Sequence, residues 1–273
     1  MNWVSLCFIN AVCHQLKHET LKLVSDLADS WSTIGAEHHE KRCEFAFSCT
    51  VYDRKISYSI EEFDIITSVN LETYNCENQC KKQVSLAEFK RDVLPTVASL
   101  ATNCMWWYVH SDQNRILFNA FKNCTGFDEV CVKEEGQESR DFVATQVKLG
   151  NVQRLHVFHQ ENTFDRPEFE NLAHTLETFV KSERFHELIC SGGLANDVEL
   201  YALFLERALA GELKPEARIW NRRMFFDEGI RVLHPECRED SKEVAWRIPN
   251  SDRRITLERA HGTFRMEINN PKH

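Results

Sequence analysis

The chain lacks the long apolar runs and the basic excess that two large classes of protein need. No stretch approaches the roughly 18 apolar residues of a membrane-spanning helix, so we expect a soluble protein without a membrane partner. Acidic residues outnumber basic residues by 42 to 33, and the formal net charge is −9. Because phosphate-backbone binding needs a concentrated basic face, we expect no nucleic-acid partner. A protein or peptide partner fits this composition better.

Sequence motifs that bind cofactors or activate nucleophiles are also missing. There is no phosphate-binding loop, no dinucleotide-binding glycine pattern, no nucleophile elbow and no kinase signature. No acid, base and nucleophile stand at a recognisable spacing. We therefore predict a protein without catalytic residues and without a cofactor. An enzyme that lacks recognisable motifs is the less favoured alternative.

The cysteines are numerous but do not form a disulfide or redox pattern. The chain has eleven of them and no C-x-x-C pair. The apolar opening Trp3–Cys13 has no Lys or Arg before it, so we do not expect it to be a secretory leader. Reduced cysteines and a cytoplasmic or nuclear location are the expectation. Cys104, Cys131 and Cys190 stand at apolar positions of predicted strands, where cysteine behaves as a small buried hydrophobe.

Two candidate metal motifs fail on their chemistry. His14 and His18 have the spacing of a zinc-protease helix, but Gln15 stands where that motif needs a glutamate as general base. Cys76 and Cys80 have no second pair at zinc-finger spacing. We predict no metal site.

The most informative pattern is an alternation of helices with short apolar strands between about Ser85 and Gly211. The predicted strands are Cys104–Val109, Phe127–Val132, Val152–Phe158 and Phe185–Cys190. The predicted helices are Gln113–Asn123, Ser139–Leu149, Glu168–Ser182 and Asn196–Gly211. The strands begin roughly 20 to 35 residues apart, near the period of a leucine-rich-repeat-type solenoid. An open α/β sheet is the alternative that keeps the same alternation.

Other elements flank these repeats. Apolar residues recur at helical spacing from Leu6 to Leu27, and this helical stretch is predicted to end at Ser30–Gly35. Ser85 and Glu88 form a capping box that begins a helix, and Pro95 predicts a kink or a split in it. The remaining predictions are a hairpin over Cys43–Ile60, a loop over Asn70–Val84, and three short strands over Lys242–Ile248, Arg254–Glu258 and Thr263–Ile268.

Three tryptophans are candidates for binding a target protein. Trp106 and Trp107 are adjacent in a predicted strand, so their indoles point to opposite faces of the sheet. Trp220 lies within the basic cluster Arg218–Arg223, which we interpret as a solvated face or a contact for an acidic peptide. Core packing is the alternative for each indole, because aromatic side chains dominate buried area as often as they anchor partners.

The first 35 residues resemble an F-box. The similarity is carried by an apolar opening, two short helices and a Trp followed three residues later by an aliphatic residue. These positions are Val4, Leu6, Phe8, Ile9, Val12, Leu16, Thr20, Leu21, Val24, Leu27, Trp31 and Ile34. The chain as a whole resembles the expanded F-box-like families of nematodes, in which a short module precedes an F-box-associated region of strands and helices.

This resemblance implies an α/β protein with an F-box-like helical module over residues 1–40 and an F-box-associated repeat region over residues 41–273. It further implies a non-catalytic adaptor that selects targets for a cullin-RING ubiquitin ligase. The linker subunit of the ligase would dock on Val4, Leu6, Phe8, Ile9 and Val12. A stand-alone protein-binding repeat protein without a ligase is the alternative. The target itself is not named by the resemblance.

Overall fold

A computed structural model describes most of the chain, which forms two compact units, Met1–Phe127 and Asp128–His273. The described residues are 4–16, 18–41, 43–52, 55–58, 64–71, 82–108, 115–134, 136–159, 170–191, 197–222, 233, 243–260 and 263–269. The predicted boundary after residue 40 stays a prediction.

Helices and strands are present in both units. The helices of the first unit are α1 (Leu6–Gln15), α2 (His18–Ser25), α3 (Ser30–Lys41), α4 (Leu86–Glu88), α5 (Leu94–Leu100) and α6 (Arg115–Phe121). Its strands are β1 (Cys43–Tyr52), β2 (Lys55–Tyr58), β3 (Asp64–Leu71), β4 (Lys82–Ser85) and β5 (Ala101–Tyr108). The next strand, β6 (Phe127–Glu134), begins on the last residue of the first unit. The second unit continues with α7 (Gln137–Leu149), β7 (Arg154–His159), α8 (Glu170–Lys181), β8 (Glu187–Ser191), α9 (Asp197–Leu209), β9 (Arg218–Arg222), β10 (Glu243–Arg247), β11 (Arg254–Ala260) and β12 (Thr263–Asn269).

Helices α1, α2 and α3 share a small core, and we call Leu6–Lys41 the helical module. Its buried side chains are Ile9, Cys13, Leu21 and Val24, with Leu16, Trp31 and Ile34 packed against them. Helix α3 continues to Lys41, so the predicted end at Ser30–Gly35 is wrong. Gly35 is buried within the helix, where a Cβ atom would lie only 2.7 Å from Val24 Cγ1. The glycine therefore allows α3 to approach α2, rather than ending the helix.

The sheet of the first unit has the strand order β5-β3-β1-β2-β4. Strand β1 pairs antiparallel with β2 and parallel with β3, which confirms the predicted hairpin over Cys43–Ile60. The predicted loop over Asn70–Val84 is wrong at both ends, because β3 extends to Leu71 and β4 begins at Lys82. Residues 72–81 lie outside the described part of the chain.

The capping box at Ser85 is present. Ser85 Oγ accepts from the Glu88 amide at 3.3 Å, and Glu88 Oε2 accepts from the Ser85 amide at 2.8 Å. Helix α4 continues through a π-helical turn over Phe89–Val93 into α5, with right-handed helical backbone at both junctions. The irregularity predicted near Pro95 thus takes the form of a π-helical turn that Pro95 closely follows.

A chain of aromatic side chains forms the core of the first unit. Successive ring centroids lie 6.3, 6.4, 5.9 and 6.4 Å apart along the series Phe47, Tyr58, Phe89, Phe121 and Phe127. These distances are typical of favourable tilted and edge-on aromatic pairs. The series joins β1 and β2 to the π-helical turn, to α6 and to the start of β6.

The sheet of the second unit has the strand order β10-β11-β12-β9-β8-β7-β6. Strands β6, β7, β8 and β9 are parallel, and β12, β11 and β10 complete the sheet by antiparallel pairing. The predicted alternation of strands and helices is confirmed here, and so are the three C-terminal strands. Strand β9 was missed, because its residues were interpreted as a solvated basic cluster.

Helices α7, α8 and α9 all lie on one face of this sheet. Each connects a strand to its next parallel neighbour in the same direction across the sheet, and such crossovers are right-handed in nearly all proteins. Helix α8 packs against both α7 and α9. Seven apolar strand side chains on the helix-covered face are at most 4% exposed: Val130, Val132, Leu155, Val157, Leu188, Cys190 and Ile219. The buried amide of Asn221 lies on the same face.

Contacts between helices and strand ends complete this core. The ring of Phe185 lies 5.3 Å from that of Phe179 and 6.0 Å from that of Phe204. Tyr201 on α9 donates a hydrogen bond from its hydroxyl to the Phe264 carbonyl of β12 at 2.8 Å. The protein is thus a mixed α/β protein, as predicted. None of the helices in the described ranges is long and apolar enough to cross a membrane.

Candidate functional site

In the sheet of the second unit, the face opposite helices α7–α9 carries many charged and polar side chains. We call it the open face. Successive side chains of a strand point to opposite faces. On β7, Leu155 and Val157 are 0% and 3% exposed, whereas Arg154 and His156 lie on the other side. The same alternation places Glu187 of β8 and Arg218 of β9 on the open face.

The registers of the strands align charges of alternating sign across five strands. Arg154 is opposite both Glu129 and Glu187, and Arg218 is opposite both Glu187 and Glu267. Opposite charges in directly paired positions stabilise a sheet, and like charges there destabilise it. We call these five residues, Glu129, Arg154, Glu187, Arg218 and Glu267, the charged row.

Glu187 is the most connected residue of the charged row. His156 Nε2 donates a hydrogen bond to Glu187 Oε1 at 2.8 Å, and Arg218 Nε donates to Glu187 Oε2 at 2.5 Å. His156 Nδ1 also lies 3.9 Å from Glu129 Oε1, and Arg154 Nη1 donates to Glu129 Oε2 at 3.2 Å. The imidazole therefore lies between two carboxylates that each have an arginine partner.

Burial and charge act in opposite directions on Glu187. Burial by itself raises the pKa of this carboxyl, but the hydrogen bond from His156 and the positive charge of Arg218 outweigh it, and the pKa lies below its usual range. Glu187 is thus ionised at neutral pH. Its negative charge holds the His156 ring and the Arg218 guanidinium in place.

The acidic and basic side chains of the open face differ in depth. The side chains of Glu187, Glu129 and Glu267 are 3%, 14% and 16% exposed. In contrast, those of Arg154 and Arg218 are 47% and 40% exposed. Arg265, which forms an ion pair with Glu267, is 37% exposed. Three guanidinium groups therefore form the solvent-facing layer of this region, and carboxylates lie beneath them.

Cys131 stands beside His156 on the open face, because the two are paired in the register of β6 and β7. A thiol next to an imidazole is the arrangement of cysteine nucleophiles. Burial, with a smaller contribution from the charge of Glu129, raises the pKa of Cys131 to about 12. The thiol is therefore protonated at neutral pH and lacks the thiolate that nucleophilic attack requires.

The tryptophans chosen from the sequence lie in strands of different units. Trp106 and Trp107 lie on β5, opposite Val69 and Asn70 of β3. Trp220 lies on β9 between Ile189 and Arg265, so it belongs to the open face and is partly buried. The sequence singled out Trp220 but missed Arg154, His156 and Glu187. Their common register becomes visible only when the strands are aligned.

The sequence-predicted docking residues have unequal exposure. Val4, Leu6 and Phe8 are 38%, 60% and 55% exposed, and Val12 is partly buried. Ile9 is 1% exposed and belongs to the core of the helical module. Ile9 thus supports the module from within, whereas Leu6 and Phe8 present apolar surface to solvent.

The structure describes one of the two candidate metal motifs. His14 lies on α1 and His18 begins α2, so the two histidines do not lie on a single helix as their spacing suggested. His38 is buried, and its Nε2 forms a hydrogen bond with Asn10 Oδ1 at 2.6 Å. Cys76 and Cys80 lie outside the described residues. Over the ranges that are described, no group of three or more His, Cys, Asp or Glu side chains is placed to bind a metal ion.

Comparisons with known proteins give no family. The sequence matches no protein-family model and no curated protein. Two surfaces of the described residues are candidates for function, namely the open face of the second unit and the exposed apolar side chains of the helical module.

Proposed function

We propose that the protein is a non-catalytic adaptor that brings target proteins to a cullin-RING ubiquitin ligase. The observation that carries the proposal is the distribution of exposed apolar side chains. Among the described residues the large exposed ones are Val4, Leu6, Phe8, Leu23, Leu27 and Leu149. All but Leu149 belong to the first 27 residues. Apolar side chains concentrated in one exposed segment are typical of protein interaction sites.

The helical module has the properties of a domain that gains stability from a partner. Its core has four fully buried side chains, which is little for three helices. The F-box resemblance of this segment gives the partner: the linker subunit of the ligase. Leu6 and Phe8 are the residues we expect it to bury, and each leucine or phenylalanine buried contributes about 1.5–3 kcal/mol before the costs of association.

The second unit supplies the target-binding part of this proposal. Its parallel strands follow each other in sequence order with all three connecting helices on one face, as in leucine-rich-repeat-type solenoids. Such proteins bind partners with the face that helices do not cover. The protonated thiol of Cys131 gives no support to an enzyme at this face.

A pull-down of the purified ligase linker subunit tests the proposal. The wild-type chain is compared with Leu6→Asp and Phe8→Asp, and with Leu149→Asp as the matched control at an exposed apolar position of the second unit. Circular dichroism establishes that each variant is folded. We expect the first two variants to lose the linker subunit and Leu149→Asp to retain it.

The same experiment separates the alternatives. If the folded wild-type chain does not retain the linker subunit, the ligase proposal fails and a stand-alone binding protein is favoured. If Leu6→Asp and Phe8→Asp retain it, the exposed side chains of α1 are not the docking surface.

A further inference from the structure

We propose that the open face of the second unit binds an acidic peptide segment of a target protein. Arg154, Arg218 and Arg265 provide the main contacts. This inference builds on the proposed function, because it names the chemistry of the target. It is nevertheless tested without the ligase.

Positive groups lie above negative groups on the open face. The carboxylates of Glu187, Glu129 and Glu267 are 3–16% exposed, and the three guanidiniums are 37–47% exposed. An incoming chain therefore meets N–H donors first. Each guanidinium has five N–H donors in a planar fork, and the few that a buried carboxylate occupies leave others directed to solvent.

Ion pairs hold the arginine side chains of the open face in place before a peptide binds. Glu187 holds Arg218 through two nitrogen atoms, Nε and Nη2, and Glu129 holds Arg154. A free arginine side chain loses about 2 kcal/mol of rotamer entropy when it is fixed. Here much of that cost is met on folding, so the guanidiniums are ready to bind a carboxylate in a bidentate manner.

The open face differs in charge from the chain as a whole. The whole protein has a formal net charge of −9, so its net charge does not attract an acidic segment. Arg254 of β11 and Arg247 of β10 are also exposed on this face, and they lie opposite each other in the register of the two strands. Glu258 lies opposite Arg265 on this face, so the attraction for an acidic peptide is strongest at the arginines of β7 and β9.

A long polyanion fits this face less well than a short peptide. Nucleic acid would extend its phosphates over the acidic remainder of the surface, and its affinity depends on many phosphate contacts. Trp220 lies between Ile189 and Arg265 and offers an apolar contact that a mixed acidic and apolar peptide uses. A phosphate group has no apolar atoms that could make this contact.

Fluorescence anisotropy with the full chain tests the inference. The probe is a fluorescein-labelled peptide of Glu residues with a central Leu, and the comparison probes are its Lys counterpart, its phosphoserine counterpart and a single-stranded DNA of equal length. We expect the Glu peptide to bind, the Lys peptide not to bind, and the affinity to fall as salt is raised.

Variants assign the binding to the open face. We expect Arg154→Gln and Arg218→Gln each to weaken the Glu peptide about tenfold, which is the effect of losing one charged hydrogen bond. Arg184→Gln is the matched control, since Arg184 is exposed in the turn between α8 and β8 and does not lie on the open face. Its affinity should equal that of the wild type.

Hydrogen exchange keeps the inference testable if an arginine variant does not fold. With the wild-type chain, the Glu peptide should slow exchange in β7, β8, β9 and β12, and not in α7–α9. Protection elsewhere, absence of binding, tighter binding of DNA or of the phosphoserine peptide, or equal losses in Arg184→Gln would each overturn the inference. None of these results bears on binding of the linker subunit, which is measured separately with Leu6→Asp.

Discussion

Glu187 Oε1 accepts a hydrogen bond from His156 Nε2 at 2.8 Å, although the two residues are 31 positions apart in the sequence. The contact exists because β7 and β8 are adjacent and parallel, with Arg154 opposite Glu187. The glutamate thus comes from one strand-helix repeat and the histidine from the preceding repeat. The charged row therefore depends on the registers of β6 to β9 and of β12 together.

The Glu187→Gln variant should lower the free energy of unfolding by about 2 kcal/mol. It removes the charge from a side chain that is 3% exposed while His156 and Arg218 remain. Breaking a buried ion pair costs about 3–5 kcal/mol, and we expect less because Arg218 is 40% exposed and regains water. Urea unfolding followed by circular dichroism measures the change. Glu212→Gln, at an ion pair whose carboxylate is 57% exposed, is the control and should change little.

Glu187 should also make stability depend on acid pH. Its pKa in the folded protein is below that of an unfolded glutamate, which is about 4.3. A depressed pKa contributes stability above the unfolded pKa, and this contribution is lost as the pH falls through the folded value. The difference in stability between the wild type and Glu187→Gln should therefore shrink as the pH falls below about pH 4. A difference that persists undiminished at about pH 2 would contradict this assignment.

Thiol reactivity should follow burial. Cys7 is exposed on α1, whereas Cys124 and Cys131 are buried, and burial raises the pKa of Cys124 to about 11 and that of Cys131 to about 12. Iodoacetamide at pH 8 should label Cys7 in the native protein, and the other two only after denaturation. Peptide mass spectrometry identifies the labelled residues. Rapid labelling of Cys131 in the native state would reopen the possibility of a nucleophile at the open face.

Gly35→Ala should destabilise the helical module. The new methyl group would lie 2.7 Å from Val24 Cγ1 and 3.1 Å from the Ser25 amide nitrogen, so α2 and α3 must separate. Overpacking of this kind costs about 1–3 kcal/mol. Hydrogen exchange of α1–α3 measures the effect, with Thr33→Ala at an exposed position of α3 as the control. Unchanged exchange in Gly35→Ala would mean that α2 and α3 do not pack closely here.

Ser85→Ala should cost about 1 kcal/mol, because it removes the hydroxyl that caps the Glu88 amide at the start of α4. Ser85→Thr retains an acceptor in the same place and should lose at most a few tenths of that amount. Thermal unfolding of both variants distinguishes the cap from a simple loss of packing. Equal losses in the two variants would show that the hydroxyl does not stabilise the helix.

Much of the second unit was predictable because its strands have one buried face. Leu155 and Val157 alternate with polar residues, and period-two alternation is a local signal. Strand β9 has the same alternation, with Ile219 buried and Arg218 and Trp220 on the other face. The two arginines of this strand led to its interpretation as a solvated cluster. Only the pairing of Arg218 with Glu187 shows that the basic residues belong to a sheet.

The helical module was less predictable because its packing depends on contacts between residues that are far apart in the sequence. Gly35 has the appearance of a helix stop, yet it lies inside α3 because Val24 packs against it. In the sequence, Ile9 is an apolar residue like Leu6 and Phe8. The structure shows that Ile9 packs in the core, whereas Leu6 and Phe8 are exposed. Local patterns identify helices, but not which of their apolar residues face each other.

The antiparallel pairing of β12 with β9, in which Met266 lies opposite Ile219, limits how this protein can have grown. No further parallel strand can follow β9 at that edge, because β12 already occupies it. A copy of one strand-helix repeat could instead be inserted between β6 and β9. There, a copied strand would set two like charges side by side in the charged row, Arg beside Arg or Glu beside Glu, at a cost to stability. The alternation of charge thus disfavours the insertion of a single repeat.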